Sequence, residues 1–157
     1  MSRIWNHEVT VEQLNGRRRG SMLEYLDIVF TEIGPDYLKA FMPVDHRTKQ
    51  PQGVLHGGAA VVLAESVGSV AGSLCVDLHR HYCVGIEVNA NHLRPVRDGH
   101  VFATACPIHV GHKTQVWQIE IMDAHGRRVT ASRLTLAVLD RISAVENTEP
   151  LPGWPTP

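Results

Sequence analysis

The longest run of apolar side chains covers residues 57–76, and Glu65 is its only charged residue. The run is too long for a typical strand, and its alanine and leucine residues favour a helix. We therefore expect a long buried helix from residue 57 to about residue 78. A membrane span tolerates a central carboxylate poorly, so we expect this helix inside a soluble domain.

Shorter β-prone segments flank this helix on both sides. Before it, residues 27–33 and 37–44 are separated by the turn signal Gly34-Pro35-Asp36 and predict a hairpin. After it, four β-rich stretches cover residues 82–93, 100–110, 114–122 and 128–139. One long helix wrapped by a curved antiparallel sheet, an α+β architecture, buries all these elements most simply.

Two short helical turns are expected near the start, because Thr10 with Gln13 and Ser21 with Glu24 each fit a capping box. The end of the chain is different, since residues 146–157 contain four prolines, which exclude regular helix. We therefore divide the chain into one domain, residues 1–141, and a proline-rich tail, residues 142–157.

The composition fits one globular domain, with 157 residues of which 43% are hydrophobic and 20% charged. The formal net charge of −1 predicts no general attraction for nucleic acid or anionic membranes. Cys75, Cys83 and Cys106 lack the spacing of a zinc or redox site, and we interpret them as buried thiols. Without an apolar leader at the start, the chain is expected in the cytoplasm.

Glu65 is a functional candidate because of where it lies in the sequence. Burying an unpaired carboxylate costs several kcal/mol or raises its pKa, so such a group usually has a use. Ser69 follows four residues later and shares its helix face. The alternative is a narrow solvated stripe that carries Glu65, Ser66, Ser69 and Ser73.

The string His56-Gly57-Gly58 precedes the helix and is a second candidate. The first amides of a helix are unpaired, so they can polarise a carbonyl or hold an oxyanion. Gly57 and Glu65 lie roughly 12 Å apart along one helix, too far for both to meet one carbonyl carbon. If both act on one substrate, they come from different chains, as in a dimer with antiparallel helices.

Three segments carry a family resemblance: TKQPQGVLHGGAAVVLAESVGSVAG, VGIEVNANHLRPV and QVWQIEIMDAHGRR. Together they resemble the bacterial hotdog-fold acyl-CoA thioesterases over roughly residues 4–139. The similar branch includes 1,4-dihydroxy-2-naphthoyl-CoA thioesterases of menaquinone biosynthesis, 4-hydroxybenzoyl-CoA thioesterases and enterobactin proofreading thioesterases. The resemblance implies the hotdog fold and cofactor-free hydrolysis of an aromatic or hydroxylated acyl-CoA to free acid and CoA. It also implies homodimers with shared sites, assembled into tetramers as dimers of dimers.

The same resemblance implies a role for each residue of the candidate site. The carboxylate of Glu65 would be the catalytic base or nucleophile, and the Gly57 amide would polarise the thioester carbonyl. Gln50, His56 and Ser69 would position the carbonyl or the water. Glu65 and Ser69 would come from the chain opposite the other three.

Binding of the CoA phosphates requires local positive charge on this nearly neutral chain. Three clusters qualify: His92 with Arg94, the turn Gly111-His112-Lys113, and the pair at residues 127 and 128. The resemblance favours the first two, whereas the third is equally consistent with solvated turn residues. The histidines are dispersed without the paired spacing of a metal site, so no metal is expected.

Two other functions stay open at this point. A hotdog dehydratase would use His56 on the α-carbon of a hydroxyacyl thioester. A non-catalytic acyl-CoA sensor would need no carboxylate on its central helix, so Glu65 argues against it.

Overall fold

The structure is a computed structural model, and it describes residues 3–141. The elements are α1 (Val11–Gly16), α2 (Met22–Tyr25), β1 (Val29–Ile33), β2 (Leu38–Pro43), α3 (Gly57–Leu74), β3 (His81–His92), β4 (His100–Val110), β5 (Thr114–Asp123) and β6 (Arg128–Asp140). The predicted hairpin, central helix and four later strands are confirmed. The proline-rich tail lies outside the described residues, so the domain boundary stays a prediction.

The six strands form one sheet in the order β1-β2-β4-β5-β6-β3, and each neighbouring pair is antiparallel. Alternate residues of the strands point toward α3, as the fully buried Leu38, Trp117 and Leu134 show. The buried stripe of α3, including Leu63 and Val67, packs against this face. The predicted α+β architecture, with one helix wrapped by an antiparallel sheet, is therefore confirmed.

The central helix ends at Leu74, earlier than the predicted end near residue 78. No glycine or proline marks this end in the sequence. The segment before α1 contacts this end, because the Asn6 amide donates to the Leu74 carbonyl at 2.7 Å and His7 Nε2 lies 2.6 Å from the Val76 carbonyl oxygen. Residues about 70 positions away in sequence therefore contact two of the carbonyl groups at the end of this helix.

By length and composition, α3 could cross a membrane. In the structure it packs against β2, β3, β4, β5 and β6 and carries the buried stripe described above. A core helix of this kind passes the same test of length and hydropathy.

One of the two predicted capping boxes is confirmed and the other is wrong. The Thr10 hydroxyl accepts the Gln13 amide at 3.2 Å, and the Gln13 side chain accepts the Thr10 amide at 2.9 Å. At α2, the Ser21 side chain makes no capping hydrogen bond. Gly20 has a positive φ of 71° and turns its own amide toward Glu24, which accepts it at 2.6 Å.

The prediction of three buried thiols is also partly wrong. Cys75 and Cys83 are half-buried, and burial raises the pKa of Cys75 to about 12 and that of Cys83 to about 11. Cys106 is exposed, because it belongs to the alternate residues of β4 that point away from α3.

Strand β3 lies at one edge of the sheet and pairs only with β6 among the described strands. Ile86 is 61% exposed and Val88 37% exposed, and the register shifts between Gly85 and Glu87. A long edge with apolar side chains is a template for pairing with another chain. The last residue of this strand is His92, one of the candidate site residues.

Candidate active site

His56 is the N-cap of α3, and this role determines where its ring carries a proton. Its Nδ1 accepts the Gly58 amide at 2.8 Å. A neutral ring with an accepting Nδ1 carries its proton on Nε2, which can then donate to a ligand. None of the hydrogen bonds within residues 3–141 uses the Gly57 amide as donor. Two donors, one from backbone and one from a side chain, therefore stand at the positive end of the helix dipole.

Gln50 lies in the loop that leads into α3, and this loop is held by its own backbone. The His56 amide donates to the Thr48 carbonyl at 2.8 Å, and the Gln50 amide donates to the Val54 carbonyl at 2.9 Å. The Gln50 side-chain oxygen accepts the Gln52 amide at 2.7 Å. The side-chain nitrogen of Gln50 is left to donate, so this residue adds a third donor.

The end of β3 completes a cavity of about 340 Å³ at the start of α3, lined by Gln50, His56, Gly57, His92, Arg94 and Thr130 together with apolar residues. A Cβ at position 57 would stand 2.7 Å from His92 Nε2, so the glycine permits the close approach of this ring. His92 Nδ1 lies 3.2 Å from the Thr130 hydroxyl of β6. Five of the predicted site residues therefore converge in one chain.

Glu65 and Ser69 lie further along α3 and do not line this cavity. Both side chains are half-buried, as are Ser66 and Ser73. The Ser69 hydroxyl donates to Glu65 Oε1 at 3.2 Å. Burial raises the pKa of Glu65 above its ordinary value of 4.5, and the hydrogen bond from Ser69 opposes this shift. The polar stripe considered as the alternative is therefore present on α3, but the Glu65 carboxylate on it is partly buried.

The turn Gly111-His112-Lys113 lies at the other end of the helix. It lines a separate cavity of about 310 Å³ together with Cys75, next to the C-terminal end of α3. The Lys113 ammonium forms an ion pair with Asp140 at 3.3 Å. Within one chain, this turn and His92 belong to different cavities.

The arginines at 127 and 128 are paired with carboxylates of β5. Arg127 contacts Asp123 at 2.7 Å and Arg128 contacts Glu120 at 2.7 Å. These contacts favour the interpretation as solvated turn residues. Across residues 3–141, no three His, Cys, Asp or Glu side chains come together as metal ligands would.

The sequence analysis missed two residues of this region. Thr130 meets His92 only because β3 and β6 pair in the register that places these residues opposite each other. No local pattern in the sequence contains that information. Gly85 lies against Glu65 on β3. A glycine inside a strand signals a bulge or a close approach, so the sequence did contain a signal for this contact.

Comparisons with known proteins identify similar sequences and structures. The sequence model described as the thioesterase superfamily matches residues 52–130. The chain is 55% identical over 136 residues to a 1,4-dihydroxy-2-naphthoyl-CoA hydrolase of Escherichia coli, covering 87% of this chain and 99% of that protein. It is 47% identical over 136 residues to the proofreading thioesterase EntH of Cronobacter sakazakii, covering 87% and 98%. The crystal structure of a thioesterase from Haemophilus influenzae superposes with a TM-score of 0.87 at 48% identity, covering 90% of this chain and 98% of that one.

Proposed function

The chain belongs to the thioesterase superfamily, and we propose that it hydrolyses an aromatic or hydroxylated acyl-CoA to the free acid and CoA. The observation that carries this proposal is the half-buried Glu65 carboxylate on a helix whose first amide is free to bind a carbonyl oxygen. We propose 1,4-dihydroxy-2-naphthoyl-CoA as the first substrate to test, because a relative with 55% identity is named for it. This substrate would place the reaction in menaquinone biosynthesis, in the cytoplasm.

The electrophilic half of the reaction is assigned to the start of α3. The thioester carbonyl oxygen accepts hydrogen bonds from the Gly57 amide and from His56 Nε2, while the Gln50 side-chain amide orients the carbonyl. These donors and the helix dipole stabilise the negative charge that develops on this oxygen. The thiolate of CoA departs without strong acid help, so no metal or cofactor is required.

The other half of the reaction is assigned to Glu65. Its ionised carboxylate either takes a proton from the attacking water or attacks the carbonyl carbon itself and is then released by water. Ser69 stabilises the ionised form by its hydrogen bond. The raised pKa gives the carboxylate more basic character than that of an exposed glutamate, which favours proton transfer near neutral pH.

We propose that the two halves meet across a homodimer. The cavity at the start of α3 does not include Glu65, and the open edge of β3 offers a surface for a second copy. Antiparallel pairing of two β3 strands about an axis near Val88 would bring Gly85 of one chain opposite His92 of the other. Each dimer would then contain two equivalent sites.

The same arrangement gives the turn Gly111-His112-Lys113 a role in CoA binding. This turn lies near the C-terminal end of α3, and antiparallel pairing moves that end toward the partner's cavity. His92 and Arg94 of one chain would then contact the CoA phosphates together with this turn of another chain. Assembly of two dimers into a tetramer is part of the same proposal.

Mixing two strongly impaired variants tests the shared site. Glu65→Gln removes the carboxylate and Gly57→Pro removes the amide donor, so each variant alone should have a rate roughly 100-fold or more below that of wild type. In a randomly assembled mixture, half of the dimers combine one chain of each kind and contain one intact site. We expect about a quarter of the wild-type rate of thiol release from the acyl-CoA. Heterodimers without recovered activity, or a monomeric wild type, would contradict the shared site.

The dehydratase alternative is disfavoured by the cap at His56. Nδ1 of this ring accepts the Gly58 amide, so in the neutral ring Nε2 already carries a proton and cannot take one from a substrate. Incubation with benzoyl-type and β-hydroxyacyl-CoA substrates separates the three functions. A thioesterase releases free thiol, a dehydratase produces enoyl absorbance, and a sensor binds without turnover.

A further inference from the structure

The middle of β3 leaves a gap beside the Glu65 side chain. A Cβ at position 85 would stand 3.2 Å from Glu65 Cδ and 3.5 Å from Oε2, and closer still to Oε1. Real Cβ atoms do not approach a carboxylate in this way, so the carboxylate occupies space that a side chain at position 85 would fill. Ile86 then forms a bulge, which bends the edge strand at the same point.

Gly85 differs from the glycines that serve packing. At Gly68, a Cβ would stand 2.6 Å from the Leu134 side chain in the core, and at Gly72 it would collide with Leu136. Those glycines let α3 approach the sheet. Gly85 instead faces the half-buried carboxylate, so its missing side chain leaves room for Glu65, the one charged residue on the helix.

The two oxygens of Glu65 have different surroundings. Oε1 accepts the Ser69 hydroxyl and lies over Gly85, whereas Oε2 takes part in none of the hydrogen bonds within the described chain. We propose that Gly85 is a positioning residue, whose missing side chain lets the carboxylate lie across the edge strand with Oε2 presented to the acyl-CoA. This inference rests on the proposed thioesterase function.

Gly85→Ala tests the inference, because the flexible end of Glu65 can move away and the fold can survive. We expect kcat to fall roughly 100-fold, since a shift of about 1 Å in a reacting group can cost this much, while KM changes less than about threefold. Gly16→Ala is the matched control, because a Cβ there meets nothing within 4 Å. Circular dichroism and the oligomeric mass report whether the fold and assembly are unchanged.

A second background identifies Glu65 as the group through which Gly85 acts. Glu65→Asp shortens the side chain and withdraws it from position 85, so this substitution by itself already lowers kcat. Adding Gly85→Ala to Glu65→Asp should then change kcat less than about twofold, because the collision no longer exists. An equal loss in both backgrounds, or a Gly85→Ala enzyme as fast as wild type, would overturn the inference.

A readout without activity separates this inference from the proposed function. In a crystal structure of Gly85→Ala, we expect the Glu65 carboxylate displaced from the edge of β3. An unmoved carboxylate would overturn the inference even if the enzyme is active. A wild type that hydrolyses none of the acyl-CoAs would overturn the proposed function, while the displaced carboxylate would still support the placement of Glu65 by Gly85.

Discussion

The two halves of the candidate site lie on one helix, yet they are built differently. At the start of α3 the donors belong to the backbone, or to a side chain such as His56 that is tied to the backbone by a cap. In the middle of α3 the acceptor is a single flexible side chain, Glu65. Its position depends on the hydrogen bond from the Ser69 hydroxyl and on the space that Gly85 leaves open. Backbone donors tolerate most side-chain changes, whereas a lone carboxylate depends on each neighbour. We therefore expect the middle of the helix to be the more sensitive half.

Glu65→Gln is expected to have the largest effect. The amide keeps the shape of the side chain but can neither accept a proton nor attack, so kcat should fall by roughly 10³-fold or more. KM should stay within about tenfold, because the lost interaction acts mainly in the transition state. Thiol release measured over a range of acyl-CoA concentrations separates the two constants, and an unchanged kcat would remove Glu65 from the site.

Thermal unfolding provides the control for this variant. Because the pKa of Glu65 is raised in the folded protein, the folded state binds a proton more tightly than the unfolded state. The stabilisation of the folded state by this protonation of Glu65 is therefore present at low pH and is lost as the pH rises through the raised pKa. Glu65→Gln should unfold at pH 7 no earlier than wild type, so lost activity with lost stability would contradict a purely chemical role.

The backbone half is tested by a pair of substitutions at Gly57. Proline is favoured at the first helical position and removes the amide donor, whereas alanine keeps it. Both introduce a Cβ beside His92, so the difference between them isolates the amide. We expect Gly57→Pro to have a kcat about 100-fold below that of Gly57→Ala. Equal rates would show that the amide does not bind the carbonyl oxygen.

His56 combines a cap and a donor, and the two roles can be separated. His56→Ala should lower kcat roughly 10- to 50-fold, less than the loss at Gly57, because the exposed ring is more screened by water. It should also destabilise the protein by about 1 kcal/mol through loss of the cap. His56→Asn retains a capping side chain, so it should recover the stability but not the full kcat. Full activity of His56→Ala would exclude His56 from the site.

Ser69→Ala sharpens the comparison through the pH dependence. The hydrogen bond from Ser69 lowers the pKa of Glu65, so its removal should raise that pKa further. Since the ionised carboxylate is required, the acidic limb of kcat/KM should move to higher pH, with kcat reduced about fivefold at its plateau. A profile measured from acidic to neutral pH checks this, and a shift to lower pH would contradict the assigned contact.

The smallest effect is expected at Lys113, far from both halves within one chain. Lys113→Ala should raise KM for the acyl-CoA about two- to threefold without changing kcat, because an exposed charge contributes little. The effect should shrink as salt increases. Arg128→Ala is the matched control, since this exposed cation is paired with Glu120 and lies outside both cavities. An equal rise in KM for both variants would remove the specific role of the turn.

The sequence alone determined the features that depend on local patterns. The length of the apolar run and its alanine and leucine residues predicted the central helix, and β-prone segments between turn signals predicted the strands, because these signals are local in sequence. The isolated carboxylate at Glu65 and the free amide at Gly57 were visible for the same reason. The distance between them along one helix already pointed to two chains.

Only the tertiary structure decided what depends on distant partners. The Leu74 carbonyl at the end of α3 accepts a hydrogen bond from Asn6 near the start of the chain, and His92 meets Thr130 only through the register of β3 against β6. The turn Gly111-His112-Lys113 belongs to the opposite end of the helix, and Gly85 lies beside Glu65, for the same reason. Register and packing join residues far apart in sequence, and no short window of the sequence contains those contacts.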